Sequence, residues 1–298
     1  MVWLICAIVS SSMISITFKV SEKHSDNGIG IIVVNYVICC LTAALYMAAP
    51  VIKAAGGTAG DAGQTGIATL TELVSEPSFG VAMALATAGG VIYVAGFLAQ
   101  QWNIRVNGIV LTSVFVKMGL LVTMALSVVV FRERPGAVQI AGFVVAVAAI
   151  LVINMEKGST RAASITGLLI LLVCGGFSDG ISKFYEYYCD TSLNGIILLV
   201  QFAVALVLAV VYLRYRGQSI GKPELLFGAL VGVPNYFCSL FLLKALETVP
   251  AVVVFPTFNI GAFLIISATG LVVFKERLSG KQLAGCGMIV AAILMLNL

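Results

Sequence analysis

Charge is what this chain has least of. Charged side chains are 10% of its 298 residues, where a water-soluble domain carries roughly 25%. Hydrophobic residues make up 60% and the mean hydropathy is +1.10. So few charges cannot clothe a surface that faces water on every side, so the surrounding solvent is hydrocarbon. The one histidine, His24, lies in a loop beside charged residues, and no H-E-x-x-H or similar set is present to hold a metal. The seven cysteines are odd in number and contain no C-x-x-C pair; most sit inside apolar runs, where a thiol packs as a small hydrophobe. No Walker A sequence occurs, so ATP is not a direct energy source, and no G-x-S-x-G elbow or cofactor fingerprint occurs either. The 17 Lys and Arg residues are scattered through short loops with a net charge of +4, which excludes nucleic acid as a partner. No basic segment or small-residue cleavage site flags the first apolar run, so residues 3–20 are expected to stay as a helix.

Long apolar runs are what remains. Crossing ~30 Å of hydrocarbon takes about 20 helical residues, and ten runs fit: 3–20, 28–50, 79–101, 107–131, 136–154, 165–187, 194–213, 224–246, 250–274 and 280–297. The expected fold is an all-α integral membrane protein. Period-two alternation, the mark of a barrel, is missing. Residues 54–78, rich in Gly and Thr, form the long loop.

The chain also repeats itself. Phe131-Arg132-Glu133-Arg134-Pro135, Gln139 and Gly142 recur as Phe274-Lys275-Glu276-Arg277-Leu278, Gln282 and Gly285, each 143 positions on; Asn154 and Asn297 close the two segments at the same spacing. Ahead of the long loop the spacing is 167, from Asn27-Gly28 to Asn194-Gly195. The expected domains are a first five-helix repeat at 1–154, a linker at 155–164 and a second repeat at 165–298. Five spans is an odd number, so the second repeat must enter the membrane from the opposite side. Lys and Arg favour the odd-numbered loops, 11 against 5, which by itself puts both termini outside.

The doubled Glu-turn, Gln and Gly pattern resembles the EamA-like, ten-helix branch of the drug/metabolite transporter superfamily, and Ala245-Leu246-Glu247-Thr248-Val249-Pro250-Ala251 with Phe255-Pro256 is similar to that family's approach to its ninth helix. The resemblance spans essentially the whole chain. It implies a cell-membrane carrier of small metabolites working by alternating access, with termini usually cytoplasmic, against the charge count. It names no substrate. Glu133 and Glu276 fall at the membrane edge, where a carboxylate suits a helix start; they are read as hairpin supports or as gate residues whose ion pairs form in one state only.

Polar groups placed within spans are costly and therefore candidates for the solute site. Lys117, about ten residues into the fourth run, is too deep to snorkel; it lines a cavity or pairs with an embedded acid. Asp179 is that acid, a proton or solute contact or the partner of Lys117 or Lys183. Tyr93 and Tyr236 match at the 143 spacing and can flank one cavity. Asn235 follows Pro234, and Asn259 follows Pro256, at two expected helix breaks. Together Lys117, Asp179, Tyr93, Tyr236, Asn235 and Asn259 suit an amino acid or similar zwitterion. Gln100, Gln101, Trp102 and Asn103 read as an interfacial anchor, and Ser10, Ser11, Ser12 and Ser15 as a close-packing stripe or a polar path.

The expected activity is thus secondary transport of a small solute, alone or with a proton or ion, in a lipid bilayer, as a monomer or homodimer. Neutral or anionic solutes such as a sugar or organic anion are the alternative cargo. A membrane-embedded enzyme lacks its motifs here, and an assembly or sensor subunit would lack a sealed polar cavity.

Overall fold

The computed structural model describes residues 1–54, 71–130, 136–154, 164–249, 251–276 and 278–296. The expected features at Phe131–Pro135, Arg277 and Asn297, most of the long loop and most of the linker lie outside these residues. Eleven α-helices are described: α1 (Val2–Ser21), α2 (Gly28–Ala54), α3 (Phe79–Asn107), α4 (Ile109–Lys117), α5 (Leu120–Val130), α6 (Ala137–Asn154), α7 (Ile165–Tyr188), α8 (Asn194–Tyr215), α9 (Lys222–Leu246), α10 (Ala251–Val272) and α11 (Gly280–Leu296). Six of them, α1, α2, α3, α7, α8 and α9, contain stretches long and apolar enough to cross a membrane. The chain is a helical, multi-pass membrane protein. The apolar parts of α6, α10 and α11 are shorter.

The fourth expected span differs from its reading as one helix. It breaks at Met118–Gly119 into α4 and α5. Sterics explain the position. Gly119 lies against Gly175 and Gly176 of α7, and a β-carbon on it would come within 2.5 Å of the Gly176 nitrogen and 2.7 Å of the Gly175 carbonyl carbon. Three glycines thus let two backbones touch, as small residues do between membrane helices. In sequence, Gly119 is one residue in an apolar run; its contact partner is over fifty residues away.

The packing pairs are few and well defined. α1 lies on α9 and α10; α7 lies on α3 and on the α4–α5 pair; α2 lies on α8 and α9; α3 lies on α8; α4 meets α10, and α6 meets α11. Glycines again mark close crossings. Gly90 of α3 approaches Gln201 and Val204 of α8, and Gly232 of α9 approaches Asn35 and Ile38 of α2. Pro234 sits inside α9 without ending it, although proline denies the helix one N–H.

One end of the bundle is tied by polar contacts between distant parts of the chain. Asn27 Nδ2 donates to the Ser219 carbonyl at 2.7 Å, and the Ser25 hydroxyl donates to Glu224 Oε1. Arg105 donates to the carbonyls of Ser25 and Asp26 at 2.8 and 3.3 Å. Asn103 donates to the Gly167 carbonyl, while Asn107 both donates to and accepts from the Ser164 backbone. At the other end Asp190 caps the short 3-10 turn Thr191–Leu193; the Ser192 N–H, 2.8 Å from its carboxylate, holds that carboxyl below the usual range.

Candidate functional site

The α4–α5 break leaves Lys117 as the last residue of a half-helix. Its position there is electrostatically apt, because unpaired carbonyls at a helix C-terminus favour a cation. The side chain is 7% exposed, and its ammonium sits 4.2 Å from the centroid of the Phe258 ring on α10. A desolvated ammonium on an aromatic face is worth ~2 kcal/mol.

Two adjoining cavities meet at this point. The first has a volume of about 180 Å³ and is walled by α1, α3, α4, α7, α9 and α10; its polar lining includes Ser11, Ser15, Gln100, Ser113, Lys117 and Asn235. The second, about 140 Å³, lies between α3, α7, α8, α9 and α10, and is lined by Asp179, Ser182, Tyr185, Gln201 and Phe258 among others. Tyr93, Ser178, Cys238 and Ser239 line both. Lys117 bounds the first and Phe258 the second, so their contact is part of the partition. Lys117 and Asp179 interact electrostatically without forming a contact ion pair. Each therefore keeps a face toward a cavity.

Donor accounting shows what the walls offer. Ser113 gives its proton to the Val110 carbonyl at 2.7 Å, Ser239 to the Asn235 carbonyl at 3.3 Å, and Ser182 to the Ser178 carbonyl at 3.2 Å. Gln100 Nε2 donates to Ser15 Oγ at 3.0 Å. Asn235 Nδ2 donates to Asn35 Oδ1 at 3.1 Å. The hydroxyls of Ser113, Ser182 and Ser239 and the Asn235 amide spend their donors inside the bundle and leave oxygen lone pairs, while the Gln100 amide keeps a second N–H. Lys117 is the strong donor in this acceptor-rich surround. The site is chemically two-sided: a cation for an anionic group, and a carboxylate with several neutral oxygens for a group rich in N–H or O–H.

Lys117, Asp179, Tyr93 and Asn235 are brought together around the two cavities. Tyr236 is not among them. It is 1% exposed, packs against Phe237 at 5.6 Å and Phe202 and Tyr46 at 6.3 Å, and lines neither cavity. Successive residues on a helix point ~100° apart, and α9 turns Asn235, Cys238 and Ser239 inward, which leaves Tyr236 to the core. Asn259 also lines neither cavity: its neighbour Phe258 takes that place, and its buried Nδ2 has no partner among the described residues. Positions matched by the repeat spacing need not share a lining role, because lining depends on how each helix is rotated about its own axis.

Sequence reasoning missed Ser178, Ser239, Phe258 and Asn35. A signal existed for one of them, Ser239. Asn235 and Ser239 form an i, i+4 polar stripe on α9, and their counterparts 143 residues earlier, Ile92 and Gly96, line the same cavity from α3. Asn35, 0% exposed, leaves no such trace, because it acts through Asn235.

No family model matches the chain. A protein of Haemophilus influenzae described as uncharacterized is 23% identical over 297 residues, covering 98% of this chain and 96% of its own. A solved crystal structure superposes with a TM-score of 0.60 at 12% identity, covering 99% of this chain and 95% of its own; that likeness extends to the fold.

Proposed function

We propose that this chain is a secondary-active transporter of the cell membrane, and that it moves a small zwitterionic metabolite such as an amino acid by alternating access. The observation that carries the reading is the buried Lys117, ending a half-helix in the wall of one of two adjoining cavities, with Asp179 in the wall of the other and Tyr93 lining both. A cation and a carboxylate held out of contact among apolar helices are costly to bury, because their attraction offsets only part of the desolvation of each, and a pair kept at that cost is a functional candidate. Broken helices beside a central site are a recurring transporter device.

The architecture we infer is ten spans in two inverted five-helix repeats, 1–154 and 165–298. Its support is the packing scheme. Exchanging the halves turns the α1–α9 pair into α7–α3, α2–α9 into α8–α3, and α1–α10 into α7–α4, while α2–α8, α4–α10 and α6–α11 map onto themselves. Gly89 and Gly232, 143 positions apart, occupy matching crossings, against α8 and α2. Alternation then means rocking these halves about the shared cavities.

The test is uptake into proteoliposomes from a panel of labelled amino acids, sugars and organic cations, with and without a pH gradient. Saturable uptake of an amino acid that is absent from protein-free vesicles is the expected result. A folded, monodisperse preparation that moves none of them would overturn the reading.

A further inference from the structure

We propose that Glu276 is a latch that holds one face of the transporter shut through α4, so that the gate and the Lys117 site move as one rigid piece. The inference rests on the transport reading and goes beyond it by naming the gate and its coupling.

The geometry is specific. Glu276 leaves the turn after α10, in the second half of the chain, and its carboxylate accepts from the first two N–H groups of α4 in the first half: Ile109 at 2.8 Å and Val110 at 3.1 Å. Lys19 of α1 adds a charge contact at 3.4 Å and is itself 3.0 Å from Glu22. Carboxylates bind helix N-termini strongly because orphan N–H groups and the macrodipole act together. Approach is possible because residue 108 is glycine: its φ is +81°, and a β-carbon there would stand 2.9 Å from both Glu276 oxygens.

The turn that delivers Glu276 is strained. Lys275 has φ +53°, a left-handed conformation that a residue with a β-carbon seldom takes. Phe274 and Glu276 turn their N–H groups back to the carbonyls of Thr269 and Gly270 at 3.2 and 3.0 Å, which fixes that conformation. Strain held by a few bonds is what a two-position element requires.

The coupling follows from the length of α4. Glu276 grips its first residues, and Lys117 is its last, nine residues in all. The Met118–Gly119 break behind Lys117 is a joint. A solute that repositions Lys117 therefore tilts the same short rod whose other end the latch holds.

The experiment uses the thiols already in the first cavity, Cys174 and Cys238, in a full-length variant whose other five cysteines are replaced. A membrane-impermeant cationic methanethiosulfonate is applied to right-side-out and inverted vesicles. Lys23→Cys, on the exposed turn after α1, reports in a separate sample which vesicle face carries the latch. Glu276→Gln keeps the shape and removes the charge. Labelling of the cavity thiols from the latch face should rise about tenfold, a shift of about 1.4 kcal/mol in the closing equilibrium, without a matching rise from the opposite face. Lys275→Gly, which relieves the turn while closed, should lower labelling from the latch face. Unchanged labelling in Glu276→Gln, or an equal rise from both faces, would overturn the proposal. If Glu276→Gln does not fold, Lys275→Gly decides alone, and labelling at the wild-type rate overturns it. No solute enters the assay, so a protein that carries none of the panel could still pass it, and a working transporter could still fail it.

Discussion

Replacing Lys117 by methionine separates what the ammonium does for a solute from what it does for the fold. Methionine keeps an unbranched chain of similar length against the Phe258 ring and deletes only the charge. In the folded protein the ammonium is favoured by the ring face 4.2 Å away, worth ~2 kcal/mol at a desolvated site, by its place at the end of α4 and by the opposite charge of Asp179. Against that stands the several-kcal/mol cost of keeping an ion from water. Lys117→Met should accordingly unfold at the same temperature as wild type or slightly higher. A solute carboxylate bonded to the ammonium is worth roughly 1.5–3 kcal/mol, and each 1.4 kcal/mol is about tenfold in affinity. The half-saturating concentration in counterflow should therefore rise about 10- to 100-fold, or uptake should vanish at ordinary concentrations. Elution by size exclusion and thermal unfolding confirm that the variant is folded. A monodisperse Lys117→Met protein that transports with unaltered half-saturation would refute the reasoning and remove Lys117 from the site.

Three further outcomes follow from the geometry. Gly119→Ala should destabilise the protein by about 1–3 kcal/mol, since overpacking against the Gly175–Gly176 backbone leaves no side chain to yield; thermal unfolding in detergent measures this. Asn35→Leu should leave folding largely intact, at a cost of ~1 kcal/mol for one interhelical bond, yet free Asn235 to turn its amide donor toward the cavity, weakening uptake of a cationic or hydroxyl-bearing solute several-fold. For Asp190, whose folded carboxyl sits below its ordinary range, the sign is that of a depressed acid. Its cap is fully effective above the unfolded value and is lost as pH falls through the folded one. Protease cleavage at the Cys189–Asn194 turn should rise in that acid window for wild type and stay flat for Asp190→Asn.

Helix positions were legible because the bilayer imposes them. Hydropathy alone placed α1 at 3–20 and α8 at 194–213, against observed limits of Val2–Ser21 and Asn194–Tyr215, since any shorter apolar run would strand backbone polar groups in hydrocarbon. The break in the fourth span was hidden, because what ends α4 is the surface of α7. Site residues divide in the same way. Lys117 and Asp179 announced themselves through the cost of charge in an apolar run, and both line the cavities. Tyr236 and Asn259 were chosen by spacing and neighbouring prolines, which fix where a residue lies along a helix and leave its rotation about the axis open.

Lys117 and Gly119 are two residues apart, and that closeness joins the parts of the molecule into one argument. Glycine at 119 lets α5 cross the glycines of α7, the crossing ends α4, and the end of α4 turns a mid-run lysine into a terminal charge. Were the fourth span continuous, Lys117 would lie inside an intact helix, its backbone dipoles satisfied on both sides and the rod behind it stiff. With the break in place, the charge sits at the end of α4, against the Phe258 ring and beside the first cavity. The same break confines Glu276's grip to nine residues instead of a whole span. Gly119→Ala and Lys117→Met should therefore differ in kind. The first should disturb stability and gate together, because it acts on the joint. The second should spare stability and silence the response to solute, because it removes the handle and leaves the joint free.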